Sequence, residues 1–183
     1  LKGKNIYALF NYAHPLVKEM VWELKYGGNT RIALKFGEIL YGHIEHELLD
    51  KALLEPRLRG EENLHPLLIP VPISDKRRFE RGWNQSELLA ENIVKLDSKK
   101  LVKYLPRQLV KTHHTESQTQ TSSRAERLRN IINSMKVLNP LSVRGKSVIV
   151  IDDVTTTGST FAEAERALRI AGAKKVFCIA LAH

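Results

Sequence analysis

Cysteine is nearly absent from this chain of 183 residues, in which Cys178 is the single one. A lone cysteine excludes an intramolecular disulfide framework and any metal site built from several thiolates. It lies in the apolar run "VFCIALA", which predicts a buried and unreactive thiol. This cysteine usage fits a reducing compartment, so we expect a cytoplasmic protein.

Long hydrophobic runs are missing as well. No stretch approaches the roughly 20 apolar residues that cross a bilayer, and no charged and then apolar leader opens the sequence. We therefore expect no membrane insertion. The first residue is leucine, which leaves open that the sequence is a fragment. Hydrophobic residues make up 43%, enough for a core, and the length suits one domain.

The charge balance is strongly basic. Lysine and arginine number 29 against 20 acidic residues, which gives a net charge of +9. This excess favours phosphate-rich partners, either nucleotides or a nucleic-acid backbone. A solvated basic surface is the alternative, and charge alone does not decide between the two.

Apolar spacing predicts alternating helices and strands. Helices are expected in "HPLVKEMVWELK", from Arg31 onward, in "QSELLAENIVKL" and in "FAEAERALRIAG". Strands are expected in "LLIPV", "QLVK", "MKVL", "SVIVI" and "KVFCIALA". Loops are expected at 55–65, in the charged stretch "SDKRRFERGWN", and in a long polar segment at 112–130.

The last third of the chain predicts a strand–helix–strand unit at 147–151, 161–171 and 175–182. Such crossovers build parallel sheets, and ligands of open parallel sheets lie beyond the carboxyl ends of the strands. The stretch "VIVIDDVTTTGST", which covers 148–160, falls at that place. It is therefore the first candidate for a ligand site.

The chemistry of this stretch has two halves. The start of a helix offers free N–H groups and a partial positive charge, which together hold an anion, and Gly158 permits close approach of a phosphate. Asp152 and Asp153 would repel phosphate, but they suit hydroxyl groups or a hard cation such as Mg²⁺. A ribose 5-phosphate satisfies both halves. The alternatives are a solvated Asp-Asp turn, and a capping box in which Thr160 and Glu163 only start the helix.

Residues 148–160 resemble the phosphoribosyl-pyrophosphate (PRPP) binding motif of type I phosphoribosyltransferases, with Thr155 where that family usually has an aliphatic residue. Three further segments, "ELKYGGN", "LIPVPISDKRRFERGWNQSELLA" and "HTESQTQTSSRAERLRNI", resemble the competence-protein F-like (ComF) branch in its order. Many members of that branch carry an amino-terminal cysteine-rich zinc-binding segment, which this sequence does not contain. The resemblance implies an α/β domain with a central, mainly parallel sheet flanked by helices. A small helical hood at roughly 10–60 would precede a core at roughly 66–183.

The resemblance also implies roles for residues at matching positions. Asp152 and Asp153 would bind the ribose hydroxyls, directly or through Mg²⁺, and would act as catalytic residues. The 5-phosphate would be held by the residues that follow, which are Thr155, Thr156, Thr157, Gly158, Ser159 and Thr160. Pyrophosphate would be bound by Lys25, Arg77, Arg78 and Arg81, of which Arg77 and Arg81 would also be catalytic. The segment 112–130 would close over the substrate.

Two classes of function stay open from the sequence. One is a Mg²⁺-dependent enzyme that transfers ribose 5-phosphate to an unknown acceptor and releases pyrophosphate. The other is a non-catalytic competence factor that binds single-stranded DNA during uptake, with PRPP as ligand or regulator. Basic runs at 76–81, 99–111 and 124–129 favour backbone binding, and Phe79 and Trp83 are the stacking candidates. His113 and His114 lack partners at metal-ligand spacing, and the oligomeric state is not predicted.

Overall fold

The fold is built on a five-stranded parallel sheet. The computed structural model describes residues 6–54, 65–112 and 133–183. In chain order the elements are β1 (Ile6–Phe10), α1 (Pro15–Trp22), a π-helical turn (Glu23–Gly27), α2 (Thr30–Leu54), β2 (Leu67–Pro70), α3 (Asp75–Arg81), α4 (Gln85–Leu96), β3 (Lys103–Tyr104), β4 (Leu109–Lys111), β5 (Met135–Val137), α5 (Pro140–Val143), β6 (Ser147–Val154), α6 (Ser159–Ile170) and β7 (Lys175–Ala182). The sheet order is β1-β7-β6-β2-β3, with every neighbouring pair parallel, while β4 and β5 form a separate antiparallel pair.

The two faces of the sheet carry separate hydrophobic cores, because successive side chains of a strand point to opposite faces. In β6, Val148 and Val150 face a core that contains Phe161 and Leu168 of α6. The alternate residues of the same strand pack with α2, α4 and the π-helical turn; this second core includes Ile149, Ile151, Phe36, Leu40, Leu89 and Ile93. A sheet covered on both faces explains why its strands are apolar without polar alternation. The parallel sheet flanked by helices is confirmed.

The predicted strands and helices of the second half of the chain are confirmed with small shifts of their ends. The run "KVFCIALA" is β7 over its full length, and "LLIPV" contains β2. The predicted strand 147–151 continues to Val154, so that Asp152 and Asp153 are strand residues, and Asp152 pairs with Ala180 of β7. Cys178 is buried, and burial raises the pKa of its thiol, as expected for an unreactive cysteine.

The prediction of a charged loop in "SDKRRFERGWN" is wrong, because residues 75–81 form α3. Ser74 caps this helix by accepting a hydrogen bond from the Arg77 amide, and Gly82 ends it with a φ of 81°. No residue of α3 is buried, so the segment has no apolar period by which a helix could be recognised.

Two strands were not predicted, and one of the alternatives considered for the helix start is wrong. β1 pairs with β7 at one edge of the sheet, and β3 has only two residues at the other edge. The capping box of Thr160 and Glu163 does not form, because Gly158 occupies the cap position without a side-chain bond. The predicted loop at 55–64, the segment 113–130 and the histidine pair lie outside the described residues.

The segment predicted as a helical hood contributes to the core of the sheet. α2 packs against α4, and its Phe36 and Leu40 are buried in the second core. The division into hood and core stays a prediction. Among the described helices, none is both long and apolar enough to cross a membrane.

Candidate functional site

The paired carboxylates lie at the end of the central strand, and protein donors fix both of them. Oδ1 of Asp152 accepts a hydrogen bond of 2.8 Å from the Ser86 hydroxyl and one of 2.9 Å from the Asp153 amide. Oδ1 of Asp153 accepts the Val154 amide at 2.7 Å. Nζ of Lys25 forms an ion pair with Oδ2 of Asp153 at 3.0 Å. Asp153 lies on the same face of the sheet as Ile149 and Ile151, and this face packs against the π-helical turn.

The pKa of Asp152 is shifted strongly by its surroundings. Burial, followed by the neighbouring charge of Asp153, raises the pKa of Asp152 to about 7. The hydrogen bond from Ser86 and the charge of Lys25 act in the opposite direction but do not offset burial. A carboxyl group that holds a proton near neutral pH therefore stands beside an ion-paired carboxylate.

The loop between β6 and α6 presents free donors. Among the described residues, the amides of Thr156, Thr157, Gly158 and Thr160 donate no hydrogen bond. The hydroxyls of Thr157 and Ser159 form a hydrogen bond of 2.6 Å, in which either oxygen can be the donor. Gly158 has a φ of 76°, which favours glycine and turns the chain into α6. This open helix start is a ready anion site.

Thr155 differs from the rest of this loop. It is buried, and its amide donates to the carbonyl of Ala182 in β7 at 2.9 Å. Its backbone donor is therefore used by the sheet, and only its hydroxyl remains for a ligand. Thr156 and Thr157 are exposed, which suits contact with a phosphate arriving from solvent.

A cavity of about 260 Å³ joins the carboxylates to most of the predicted cations. Lys25, Arg77 and Arg81 line it together with Asp152, Asp153 and Thr160. Arg81 is held in place, since its guanidinium donates to Gln85 Oε1 at 3.0 Å and to the Tyr26 hydroxyl at 3.1 Å. The structure therefore brings residues from β6, α3 and the π-helical turn to one place, although they lie up to 128 positions apart in sequence (25 to 153).

Arg78 is not brought to this cavity. Its guanidinium forms an ion pair of 2.6 Å with Glu87, and it lines an adjacent cavity of about 630 Å³. Because α3 is helical, neighbouring residues point about 100° apart, and Arg77 and Arg78 accordingly line different cavities.

In "GWNQS", Trp83 and Gln85 connect the site to the π-helical turn, and Asn84 connects it to the residue that follows β2. The Trp83 indole donates to the carbonyl of Leu24 at 3.0 Å, and the Gln85 amide lies 3.5 Å from the carbonyl of Lys25. Asn84 donates to the carbonyl of Val71 at 2.9 Å and accepts from the Ser86 amide. These contacts place Lys25 and Ser86 on either side of the carboxylates. Asn84 caps α4, and neither Ser86 nor Gln85 was a candidate from the sequence.

Lys111 is a further residue of the cavity that sequence reasoning missed. It ends β4 and lines both the smaller cavity, beside Arg77 and Asp152, and the larger one. Burial and the charge of Arg77 lower the pKa of Lys111. The sequence signals for it were its place at the end of the predicted strand "QLVK" and in the basic run 99–111.

The acid pair fits a magnesium ion whose remaining ligands come from water and from the substrate. Within residues 6–54, 65–112 and 133–183 there is no cluster of three or more metal-ligating side chains. Mg²⁺ is usually held by one or two carboxylates together with substrate phosphates, so two suffice. Oδ2 of Asp153 is buried and pairs with Nζ of Lys25, so a metal cation bound there would share this oxygen with Lys25.

A parallel sheet whose central strand ends in two carboxylates and continues into an open helix start defines the type I phosphoribosyltransferase fold. The family model described as "phosphoribosyl transferase domain" matches residues 88–183, more than half of the chain. The chain belongs to this family.

Relatives by sequence point to the competence-protein branch. Competence protein F of Haemophilus influenzae is 31% identical over 130 residues, which cover 70% of this chain and 55% of that protein. DNA utilization protein YhgH of Escherichia coli K12 is 29% identical over 171 residues, which cover 92% of this chain and 68% of that protein. The resemblance to the ComF branch is confirmed.

Solved structures give more distant matches. The glutamine PRPP amidotransferase from B. subtilis, complexed with ADP and GMP, matches with a TM-score of 0.49 at 16% identity. The match covers 87% of this chain and 30% of that one.

Proposed function

We propose that this chain binds PRPP and transfers its ribose 5-phosphate to an acceptor, with release of pyrophosphate. One observation carries the proposal. The acid pair of β6, the open amides at the start of α6 and the cations of the cavity all lie at the carboxyl edge of one sheet. PRPP has three parts that match these groups. Its phosphate matches the open amides, its ribose diol matches the acid pair, and its pyrophosphate matches the cations. Asp152 and Asp153 would hold the diol, and Lys25, Arg77 and Arg81 the pyrophosphate.

The chemistry needs positioning and charge stabilisation rather than a nucleophilic side chain. When the bond from C1 to pyrophosphate breaks, positive charge develops on the ribose ring and negative charge on the leaving group. Asp152, Asp153, Arg77 and Arg81 line the same cavity, where the two acids would stabilise the ring and the two arginines would stabilise pyrophosphate. A Mg²⁺ ion held by the acid pair would supply further charge for the leaving group.

Calorimetry of PRPP in the presence of Mg²⁺ tests the binding step. The double substitution Asp152→Asn with Asp153→Asn removes both charges while keeping side-chain size, and we expect it to abolish binding without unfolding the protein. The matched control is Glu165→Gln, since Glu165 lies on α6 and pairs only with Arg169 among the described residues. Unchanged PRPP affinity in the double variant would rule out the site.

Turnover requires a separate measurement. Pyrophosphate release from PRPP, followed over a panel of nucleobases, separates an enzyme from a binding protein. We expect one acceptor to stimulate release in the wild type and none to do so in the Asp152→Asn, Asp153→Asn variant. Binding without release for every acceptor would favour a regulator that kept the PRPP site. The single buried thiol fits action in the reducing cytoplasm.

The second candidate is direct binding of single-stranded DNA, by analogy with relatives named for competence and DNA utilization. The net charge of +9 supports it, and Phe79 on α3 is 93% exposed between arginines. Trp83 is a weaker stacking candidate, because its indole is tied to the Leu24 carbonyl. Of the basic runs, 124–129 lies outside the described residues.

A salt titration distinguishes this candidate. If the basic surface binds the DNA backbone, affinity for a single strand falls steeply with salt, and Phe79→Ala weakens it without changing the salt slope. A flat salt response, or no binding at low salt, would reject direct DNA binding. PRPP affinity of the Phe79→Ala variant is the control, since Phe79 does not line the cavity of the acid pair.

A further inference from the structure

A cavity of about 610 Å³ lies at the amino ends of the strands, at the opposite end of the sheet from the acid pair. Its lining includes Leu67 and Lys103, which begin β2 and β3, and Lys146, which directly precedes β6. Asp153 stands near the other end of β6, about 20 Å from Lys146 at the rise of a strand. The cavity is therefore separate from the candidate PRPP site.

The side chains of this cavity make it positive. Its ionisable residues are Lys100, Lys103, Lys146, His65 and Tyr104, and no carboxylate from the described part of the chain lines it. Burial raises the pKa of Tyr104 to about 12, so its phenol stays neutral and adds no negative charge. A recess that gathers charge of one sign concentrates ions of the opposite sign. This cavity therefore favours an anion.

Two of these lysines are available to a ligand. Lys100 and Lys103 are exposed, and their side chains form no ion pair or hydrogen bond with the residues that the structure describes. Lys99 differs from them, because its Nζ lies 2.8 Å from Oε1 of Glu45 on α2. Lysines without a carboxylate partner suit phosphate oxygens, to which an ammonium group donates charge-assisted hydrogen bonds.

The backbone fixes the loop that carries both lysines. The two carboxylate oxygens of Asp97 accept hydrogen bonds from the Leu101 amide at 2.9 Å and the Val102 amide at 3.0 Å. The Lys103 amide then donates to the Pro66 carbonyl at 3.0 Å, which joins the loop to the residue before β2. The two ammonium groups therefore project from a segment that is anchored to the edge of the sheet.

The size and charge of the cavity favour a ligand with more than one phosphate. Its volume is within the range of about 300–1,000 Å³ that is usual for small-molecule sites. The charge of its lysines exceeds what a single phosphate group would balance.

We propose that this cavity is a second anion site, which binds consecutive phosphate groups independently of PRPP, with Lys100 and Lys103 each contacting one phosphate. The backbone of a single strand and a free polyphosphate both present this chemistry. The strand as source rests on the second candidate function and would give it a defined surface. A free polyphosphate would instead make the cavity an effector site.

Fluorescence anisotropy with a labelled oligothymidine strand tests the first source. The test variant is Lys100→Asn with Lys103→Gln, since Lys100 has a φ of 53°, a conformation that asparagine adopts readily. We expect affinity to fall by about tenfold or more, and the slope of log affinity against log salt to become shallower by about 1.4, or about 0.7 for each lost phosphate contact. Lys18→Gln with Lys175→Gln is the matched control, because both lysines are exposed outside the cavity. It should keep the wild-type slope.

Calorimetry with inorganic tripolyphosphate tests the second source, and calorimetry with PRPP and Mg²⁺ tests independence. Binding of either the strand or tripolyphosphate that depends on Lys100 and Lys103 supports the site, and the tighter of the two identifies the source. Equal affinities of the test variant and the control for both probes overturn the site. A wild type that binds neither probe also overturns it, and so does a loss of PRPP affinity in the test variant. Wild-type PRPP binding decides the proposed function separately.

Discussion

The hydroxyl of Ser86 donates a hydrogen bond of 2.8 Å to Oδ1 of Asp152, across 66 positions of sequence. Ser86 lies in the first turn of α4. Asn84 caps this helix, and its side chain accepts a hydrogen bond from the Ser86 amide. Because this bond stabilises the ionised carboxylate, it lowers the pKa of Asp152 against the effect of burial. The protonation of the central acid is therefore set by a residue outside its own strand.

Removing this hydroxyl should weaken ligand binding at neutral pH. In Ser86→Ala the pKa of Asp152 rises further, so the carboxylate needed for Mg²⁺ or ribose is less populated. We expect PRPP affinity at neutral pH to fall by about tenfold, the scale of one hydrogen bond to a charged group. The affinity profile should move to higher pH, as calorimetry across pH would show. Ser142→Ala is the control, since that hydroxyl serves Gln108; an unmoved pH profile in Ser86→Ala would contradict the assignment.

Asp152 should also make stability depend on pH. Its pKa is about 7 in the folded protein against an ordinary 3.8, so between these values the folded state holds a proton that the unfolded chain has lost. The stabilisation is complete below about pH 4 and is lost as pH rises through about 7. Urea denaturation should show the free energy of unfolding of the wild type, relative to Asp152→Asn, falling across this window. A difference that stays constant with pH would contradict the raised pKa.

The ion pair of Lys25 and Asp153 should contribute measurably to stability. Both side chains are largely buried, with 22% and 10% exposed. Lys25→Met leaves Asp153 without its counter-charge, and we expect a loss of about 1 to 3 kcal/mol by urea denaturation. Added Mg²⁺ should recover more stability in this variant than in the wild type, because it replaces the missing cation.

The control for that experiment is a pair on the surface. Lys35 and Glu38 lie 2.7 Å apart on α2, and the Lys35 side chain is 67% exposed. Lys35→Met should cost less than about 0.5 kcal/mol. Equal losses in Lys25→Met and Lys35→Met would show that the Lys25 pair has no special role.

Glu163 should anchor the β4–β5 pair. It is buried, accepts the Met135 amide at 3.0 Å and pairs with Arg166 at 2.7 Å. Glu163→Ala leaves that amide without an acceptor and Arg166 without its counter-charge, although Arg166 still donates to the Met135 carbonyl, so we expect a loss of about 2 to 4 kcal/mol in urea denaturation. Glu165→Ala, which breaks only an exposed pair on the same helix, should cost less than about 0.5 kcal/mol. A mild effect of Glu163→Ala would mean that β5 is held by apolar packing alone.

Much of the fold follows from local sequence, and the limits have physical causes. β6, β7 and α6 were predicted because a doubly covered sheet demands continuous apolar strands and α6 buries one face. α3 was missed because it buries nothing, and its signals are only its cap and its glycine. β1 was missed because it is a partly exposed edge strand, defined by pairing with β7 at the far end of the chain.

The candidate site divides in the same way. Asp152, Asp153 and the loop to Thr160 stand in one local motif, so their proximity could be read from sequence. Ser86 and Lys111 come from other elements, and only the register of the sheet and the pairing of β4 with β5 place them there. The resemblance gave Arg77 and Arg78 one shared role, but helical geometry points them to different cavities.

The hydrogen bonds at the end of β7 have a practical consequence for handling the molecule. His183 exchanges backbone bonds with Phe10 and Tyr12, and the Ala182 carbonyl receives the Thr155 amide. A purification tag or surface tether fused behind His183 would start beside the loop that precedes α6. β1 begins at the opposite end of the parallel strands from the acid pair. Immobilisation through a tag placed ahead of β1 therefore keeps the candidate site accessible.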